Sequence, residues 1–203
     1  MKSGNPVYYS PDRCDAIILK SSYKNDKDLI VGCENTVIPE DVTSIEGYAF
    51  SGRVKMTSIS IPSSVISIRR GAFDFCTGLT SVVIPKGVAY IYEYAFYRCK
   101  NLTSVVIPES VGSIYYKAFY ECNSLTDVYC CAKEPPRSGT ERYHNEYPFD
   151  ETFIKEHTTL HVPAGSIEKY KREAPWKNFK SIVAIERGSI VRAGYCSENI
   201  AVR

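Results

Sequence analysis

The sequence predicts a mainly β solenoid built from 23-residue repeats. One apolar pattern returns four times without a gap, over residues 42–64, 65–87, 88–110 and 111–133. Three of these copies also carry a β-rich segment that ends in Ile-Pro, and proline cannot donate to a sheet ladder. A fixed period of this length is the signature of stacked structural repeats.

The shared pattern reads V-x-x-I-x-x-x-A-F-x-x-C-x-x-L-x-x-V-x-I-P-x-x. Three of its apolar positions are identical in every copy: Val42, Val65, Val88 and Val111; Ile45, Ile68, Ile91 and Ile114; Phe50, Phe73, Phe96 and Phe119. About eight buried apolar side chains per copy contribute on the order of 10 to 25 kcal/mol, and ordering 23 residues costs about as much or more. One copy therefore cannot fold alone, and stability must come from stacked neighbours.

Each copy holds one clear strand signal. In the second copy it is residues 80–84, where alternation points Thr80, Val82 and Ile84 inward and Ser81 and Val83 outward. The segment with the Ala-Phe pair and the cysteine should form a turn and the opposite wall, because it is too short for a regular helix.

The regions outside the four copies divide the chain further. Residues 1–41 should form an N-terminal hairpin cap and a partial repeat, and residues 42–133 form the four repeats. Residues 134–186 should hold a polar loop insertion, a last strand and a C-terminal cap with a short helix. Residues 187–203 have no repeat register, so their structure is not predicted.

These motifs resemble the BspA-like leucine-rich repeats of bacterial surface proteins. The resemblance covers roughly residues 5–186 and rests on four A-F-x-x-C-x-x-L-x-x-V-x-I-P copies, although Arg53, Met56 and the Cys130–Cys131 pair depart from the pattern. The entry segment, residues 5–39, and the closing segment, Val162 to Phe179, also resemble the family's caps. The resemblance implies a leucine-rich-repeat fold in a secreted or surface-exposed module that binds host proteins, other cells or glycans.

Composition argues against other classes of protein. The chain has 25 basic and 23 acidic residues, a net charge of +2, which predicts no nucleic-acid partner. No transmembrane segment or membrane insertion is predicted, because no apolar stretch approaches about 18 residues. No signal peptide is predicted, because residues 1–9 lack a basic segment followed by an apolar one. His144, His157 and His161 lack metal-ligand spacing, and no nucleophile elbow or phosphate loop occurs, so no enzyme, metal or cofactor is expected.

Cysteine spacing leaves alternatives open. Cys76, Cys99 and Cys122 recur at the repeat period, which favours a ladder of small buried thiols over metal binding or disulfides. A disulfide between Cys14 and Cys33 across the cap hairpin is one alternative to free thiols there. The sequence does not decide the disulfide state of Cys130, Cys131 and Cys196.

Two surfaces are candidates for ligand binding. Outward strand positions form two rows: Asn35, Ser58, Ser81, Ser104, Asp127 and Thr159, and Val37, Ser60, Val83, Val106, Tyr129 and His161. A tyrosine-rich flank near the Ala-Phe turn comprises Tyr90, Tyr92, Tyr94, Tyr97, Tyr115, Tyr116 and Tyr120, with Arg69, Arg70 and Arg98 nearby in register. The competing interpretations are that valine and serine merely suit an exposed sheet, and that the tyrosines only pack over the turn.

We therefore expect a cell-surface or secreted binding module of the adhesion type, without catalysis. The partner would be a host or neighbouring-cell protein or a glycan, and the oligomeric state is not predicted. The alternative is a structural spacer repeat within a larger surface protein, which would show polar faces and no contiguous tyrosine or valine patch.

Overall fold

The computed structural model describes residues 17–20, 27–138 and 147–186. Predictions for residues 1–16, 21–26, 139–146 and 187–203, including those on Cys14, His144 and Cys196, lie outside these ranges. Twelve strands and two short α-helices occupy the described residues, and the strands form two sheets.

The first sheet has seven strands in the order β1-β2-β3-β4-β6-β8-β10. Their bounds are β1 Ile17–Lys20, β2 Lys27–Val31, β3 Ser44–Ile45, β4 Ser67–Ile68, β6 Tyr90–Ile91, β8 Ser113–Ile114 and β10 Arg137–Ser138. The first two strands pair antiparallel as the expected hairpin, and the others add in parallel. Ile45, Ile68, Ile91 and Ile114 pair in register, one copy above the next. This second strand of each copy was missed from the sequence because it is only two residues long.

The second sheet contains the strands predicted in the second, third and fourth copies and after them, whereas residues 57–62 of the first copy form no strand. Its order is β12-β11-β9-β7-β5, and its parallel strands are β5 Ser81–Val83, β7 Ser104–Ile107, β9 Asp127–Cys130, β11 Thr159–Val162 and β12 Ser181–Ala184. Val82, Val105 and Val128 pair in register and are buried. The chain therefore has a repeat fold with two parallel ladders around one apolar core.

One predicted orientation is wrong. Thr80 is exposed, not inward, because it lies between buried Leu79 and the start of β5 at Ser81, outside the alternation of the strand. Its backbone N–H and its hydroxyl both donate to the carbonyl oxygen of Thr57, 23 residues earlier. Thr103 and Thr126 repeat the hydroxyl bond to the preceding threonine, so this position forms a polar ladder along the surface.

A column of phenylalanine rings forms the opposite wall of the core. The rings of Phe50, Phe73, Phe96 and Phe119 stack with centroid separations of 5.0, 5.0 and 5.1 Å. Phe149 extends the column at 5.4 Å from Phe119, although it follows after 30 residues and not 23. Residues 147–150 thus add a fifth rung to this wall, beyond the four copies that the sequence shows.

The repeat cysteines form the ladder of buried thiols that the sequence favoured. Cys76, Cys99 and Cys122 are free, and each thiol donates to a carbonyl oxygen of the preceding copy at 3.1 to 3.2 Å. Burial raises the pKa of Cys76 and Cys122 to about 12 and raises the pKa of Cys99 well above its usual value. Cys33 and Cys131, by contrast, are disulfide-bonded.

The segment after the last copy is more ordered than the predicted loop over residues 134–157. It contains β10 and, from Glu151 to His157, helix α1, whose first turn is capped by the Asp150 carboxylate. Helix α2, Ile167–Tyr170, brings the Tyr170 hydroxyl to the carbonyl of Ala132 at 2.9 Å. Trp176 packs edge-on against Phe149, so the C-terminal cap covers the end of the ring column.

Candidate binding surface

Every copy has two residues with positive φ on the turn that follows its first-sheet strand. One column comprises Tyr48, Gly71, Tyr94 and Lys117, with φ between 52° and 62°, and the other comprises Gly52, Phe75, Arg98 and Glu121, with φ between 58° and 73°. Glycine adopts this left-handed conformation freely, whereas a residue with a Cβ atom is strained in it. Only one glycine occurs in each column.

The stacking of copies explains this backbone conformation. The N–H group of Tyr94 donates to the carbonyl of Tyr116 in the next copy at 3.0 Å, and that of Arg98 donates to Tyr120 at 3.0 Å. The same bond recurs at the first three members of both columns and at Lys117, because the left-handed turn points each N–H along the stack. Inter-copy hydrogen bonds therefore hold large side chains at positions where an isolated turn would need glycine.

The predicted tyrosines contact one another on this turn. The rings of Tyr92 and Tyr115 stack with their centroids 5.2 Å apart, and the centroid of the Tyr90 ring lies 6.1 Å from that of Tyr92. A second group forms around Tyr94, whose ring meets Tyr97 edge-on at 5.4 Å and Tyr116 edge-on at 5.2 Å. Tyr120 lies 6.4 Å from Tyr97. We call these seven tyrosines, together with Arg70, Arg98 and Lys117, the tyrosine flank.

Cationic side chains lie over these rings. Arg70 is 5.1 Å from the Tyr94 ring centre, and the Lys117 ammonium is 4.8 Å from both Tyr116 and Tyr120. Among the described residues, neither cation has a carboxylate within salt-bridge distance. Their charge is therefore balanced by aromatic faces, which attract cations through the ring quadrupole.

One ion pair rigidifies the middle of the tyrosine flank. Arg98 donates two hydrogen bonds to the Glu121 carboxylate, at 2.9 and 3.3 Å, and the Tyr97 hydroxyl donates to the same group at 2.8 Å. The hydrogen bonds from Arg98 lower the pKa of Glu121. This ion pair therefore links the two copies that carry the seven tyrosines, residues 88–110 and 111–133.

The second predicted surface is also formed, but it is shorter than expected. Val83, Val106 and Tyr129 pair in one row, which continues through His161. The His161 ring stacks on Tyr129 at 4.2 Å and contacts Asp127 through Nε2 at 2.8 Å. The predicted row members in residues 34–38 and 57–62 lie in no strand of either sheet; they line a separate pocket of about 360 Å³.

Four residues in or beside the tyrosine flank were not identified from the sequence: Tyr48, Phe75, Lys117 and Tyr147. The first three occupy the positive-φ columns, where a comparison of copies shows glycine in one copy and a large side chain in the next. That exchange is the available sequence signal. Tyr147 gave no signal, because the extra residues before it break the period.

A sequence profile described as the BspA type leucine rich repeat region (6 copies) matches residues 21–134. This match covers more than half of the chain. The chain belongs to the BspA-type leucine-rich repeat family. No curated protein matches the sequence.

Solved structures of bacterial leucine-rich repeat proteins resemble this BspA-type chain. A leucine-rich repeat protein of T. pallidum is 21% identical, with a TM-score of 0.58, over 89% of this chain and 87% of that protein. The pneumococcal vaccine antigen PcpA is 16% identical, with a TM-score of 0.57, over 92% and 49%. These two likenesses support the leucine-rich-repeat fold.

A leucine-rich cell surface protein from Faecalibacterium prausnitzii is 25% identical over 57% of this chain, with a TM-score of 0.45. This chain spans 38% of that protein's length and about half of PcpA. Within the described ranges of the BspA-type chain, no helix has the length and apolar character needed to cross a bilayer, and no group of side chains could hold a metal ion.

Proposed function

We propose that this chain is a solenoid module of a surface or secreted protein and that it binds its ligand through the tyrosine flank. The observation that carries the proposal is the choice of residues in the two positive-φ columns. Tyr48, Phe75, Tyr94, Arg98, Lys117 and Glu121 occupy them, although Gly52 and Gly71 show that the fold accepts glycine there.

Strain of this kind costs on the order of 1 kcal/mol or more per residue. Selection for stability alone would favour glycine in every copy. The chain instead retains aromatic and charged side chains, which are typical of binding hot spots, at the sites where they cost stability. Retained strain at a surface is an argument for function.

Disulfide bonding of two cysteines supports the proposed surface or secreted location. Cys33 and Cys131 are disulfide-bonded, and structural disulfides persist in extracellular compartments. Within the described ranges, the free cysteines are Cys76, Cys99, Cys122 and Cys130; all four are buried, so a surface location exposes none of them. The neighbouring structure described as a cell surface protein is consistent with this location.

The test replaces strained binding residues by glycine. Tyr94→Gly and Lys117→Gly each remove a side chain of the tyrosine flank and relieve a positive φ of 58° or 52°. We expect binding to fall at least tenfold, while the free energy of unfolding changes by less than about 1 kcal/mol or rises. Beads coated with the full chain are applied to a glycan array and to immobilised extracellular-matrix proteins, and unfolding is followed in urea.

The second sheet provides the matched control. Tyr129→Ser removes a half-buried tyrosine from that sheet and should leave ligand capture unchanged. If this variant abolishes capture and the glycine variants do not, the ligand binds the second sheet and the proposal is wrong. If the unaltered chain captures nothing on either array, the structural-spacer function is favoured.

A further inference from the structure

A pocket of about 340 Å³ lies at the C-terminal end of the tyrosine flank. It forms where the fourth copy meets the added rung, because the N–H group of Lys117 donates to the carbonyl of Tyr147 at 3.1 Å. Its walls are three half-buried tyrosine rings and three charged side chains: Tyr116, Tyr120, Tyr147, Lys117, Asp150 and Glu151. Its volume lies within the usual range of small-ligand sites.

We propose that this pocket binds one uncharged sugar ring of a glycan. The inference rests on the proposed binding function of the tyrosine flank and names the ligand class for one end of it. Tyrosine offers a flat apolar face together with a hydroxyl at its edge. The ring of a hexose matches this surface, since one face carries C–H groups and its rim carries hydroxyls.

The charges in the pocket favour a neutral ligand with many hydroxyls. Lys117 would repel a cation, and Asp150 with Glu151 would repel an anion. A hydroxyl, however, can donate to a carboxylate and accept from an ammonium at the same time. A sugar can therefore satisfy both signs of charge in one small site.

The polar groups are already held in place. Asp150 Oδ1 accepts the N–H groups of Thr152 and Phe153 at 3.1 and 3.2 Å, which fixes the carboxylate at the pocket wall. The Lys117 ammonium rests over two of the tyrosine rings. Groups fixed before binding lose little conformational entropy when a ligand arrives.

An extended peptide is a poorer fit for this pocket. Peptides that bind as an added strand need free main-chain groups along an edge. The N–H groups of Lys117 and Phe119 already donate to the carbonyls of Tyr147 and Pro148, at 3.1 and 2.8 Å. The pocket therefore offers side chains, and not a strand edge, to its ligand.

The experiment measures saturation-transfer NMR signals from soluble probes mixed with the full chain. The neutral probes are maltotriose, mannotriose and N-acetylchitotriose; sialyllactose and a heparin disaccharide are the charged probes. Two variants alter the pocket alone: Tyr147→Ser removes one wall, and Glu151→Gln removes one charge but keeps an acceptor for the Asn178 amide. Tyr129→Ser alters the second sheet, outside both the pocket and the tyrosine flank, and thermal melting checks the fold of all three.

We expect at least one neutral trisaccharide to bind and its affinity to fall at least tenfold in Tyr147→Ser and at least threefold in Glu151→Gln. Tyr129→Ser should leave this affinity unchanged. The inference is overturned if only the charged probes bind, if no sugar binds, or if folded pocket variants bind as well as the unaltered chain. Bead capture that depends on Tyr94 without any sugar binding would overturn this inference alone, whereas sugar binding with Tyr94-independent capture would overturn the proposed function alone.

Discussion

Replacing Phe96 by Ala should lower the free energy of unfolding by about 3 to 5 kcal/mol. Phe96 is fully buried, and its ring stacks on both Phe73 and Phe119, at 5.0 and 5.1 Å. The replacement loses the transfer free energy of the ring and leaves a cavity in the middle of the column. Urea unfolding followed by circular dichroism measures the change.

The matched control for this change is Phe75, an exposed phenylalanine in the same region of the preceding copy. Phe75→Ala should change the free energy of unfolding by less than about 0.5 kcal/mol, as surface replacements usually do. If Phe96→Ala does not fold, Phe96→Leu retains most of the volume and should show a smaller loss. Equal effects at Phe96 and Phe75 would contradict the stacked core.

Alkaline pH should destabilise the protein steeply through its three stacked thiols. The pKa of Cys76 and of Cys122 is about 12 in the folded chain, and burial also raises that of Cys99. An ordinary thiol in the unfolded chain loses its proton near pH 9. The folded chain therefore binds more protons than the unfolded chain between about pH 9 and 12, and stability must fall as pH rises through this window.

Each thiol contributes a slope of about 1.4 kcal/mol per pH unit, so three together give at most about 4 kcal/mol per unit. Below pH 9 the thiols should leave stability independent of pH. The slope is obtained from melting temperatures in buffers at about pH 8.0, which lies below this window, and at about pH 9.5 and 10.5, which lie within it. Cys99→Ala with Cys122→Ala should reduce stability at pH 8 yet flatten the alkaline slope. Parallel slopes in the variant and the unaltered chain would contradict the prediction.

The sequence could predict most of the second sheet and the buried ladders because the same or similar apolar residues recur from copy to copy and leave few alternatives. Val82, Cys99 and Phe96 lie in the core for that reason. Thr80 was misplaced because simple alternation was extended one residue beyond the start of the strand at Ser81. The rung at residues 147–150 could not be predicted, since Phe149 follows Phe119 at a spacing that no other copy shares.

The candidate site could be predicted only in part. The tyrosines stood out by their number, and their ring contacts follow from the repeat register. Their backbone conformation could not be read from one copy, because the hydrogen bonds that impose it run to the next copy. Gly71 shows that neighbouring copies constrain each other, because a Cβ atom at this position would lie 2.4 Å from the Tyr48 ring. The side chain of one copy therefore decides which residues fit in the next copy.

The continuous ring column from Phe119 to Phe149 has a consequence for how such proteins diversify. Seven additional residues enter the chain between these two rungs, yet the rings still stack at 5.4 Å and the backbone bridge between them is intact. The longer connection at this point therefore leaves the neighbouring rungs in contact. The chain can lengthen beside Tyr147, at the end of the candidate binding surface, while the architecture that supports that surface stays the same.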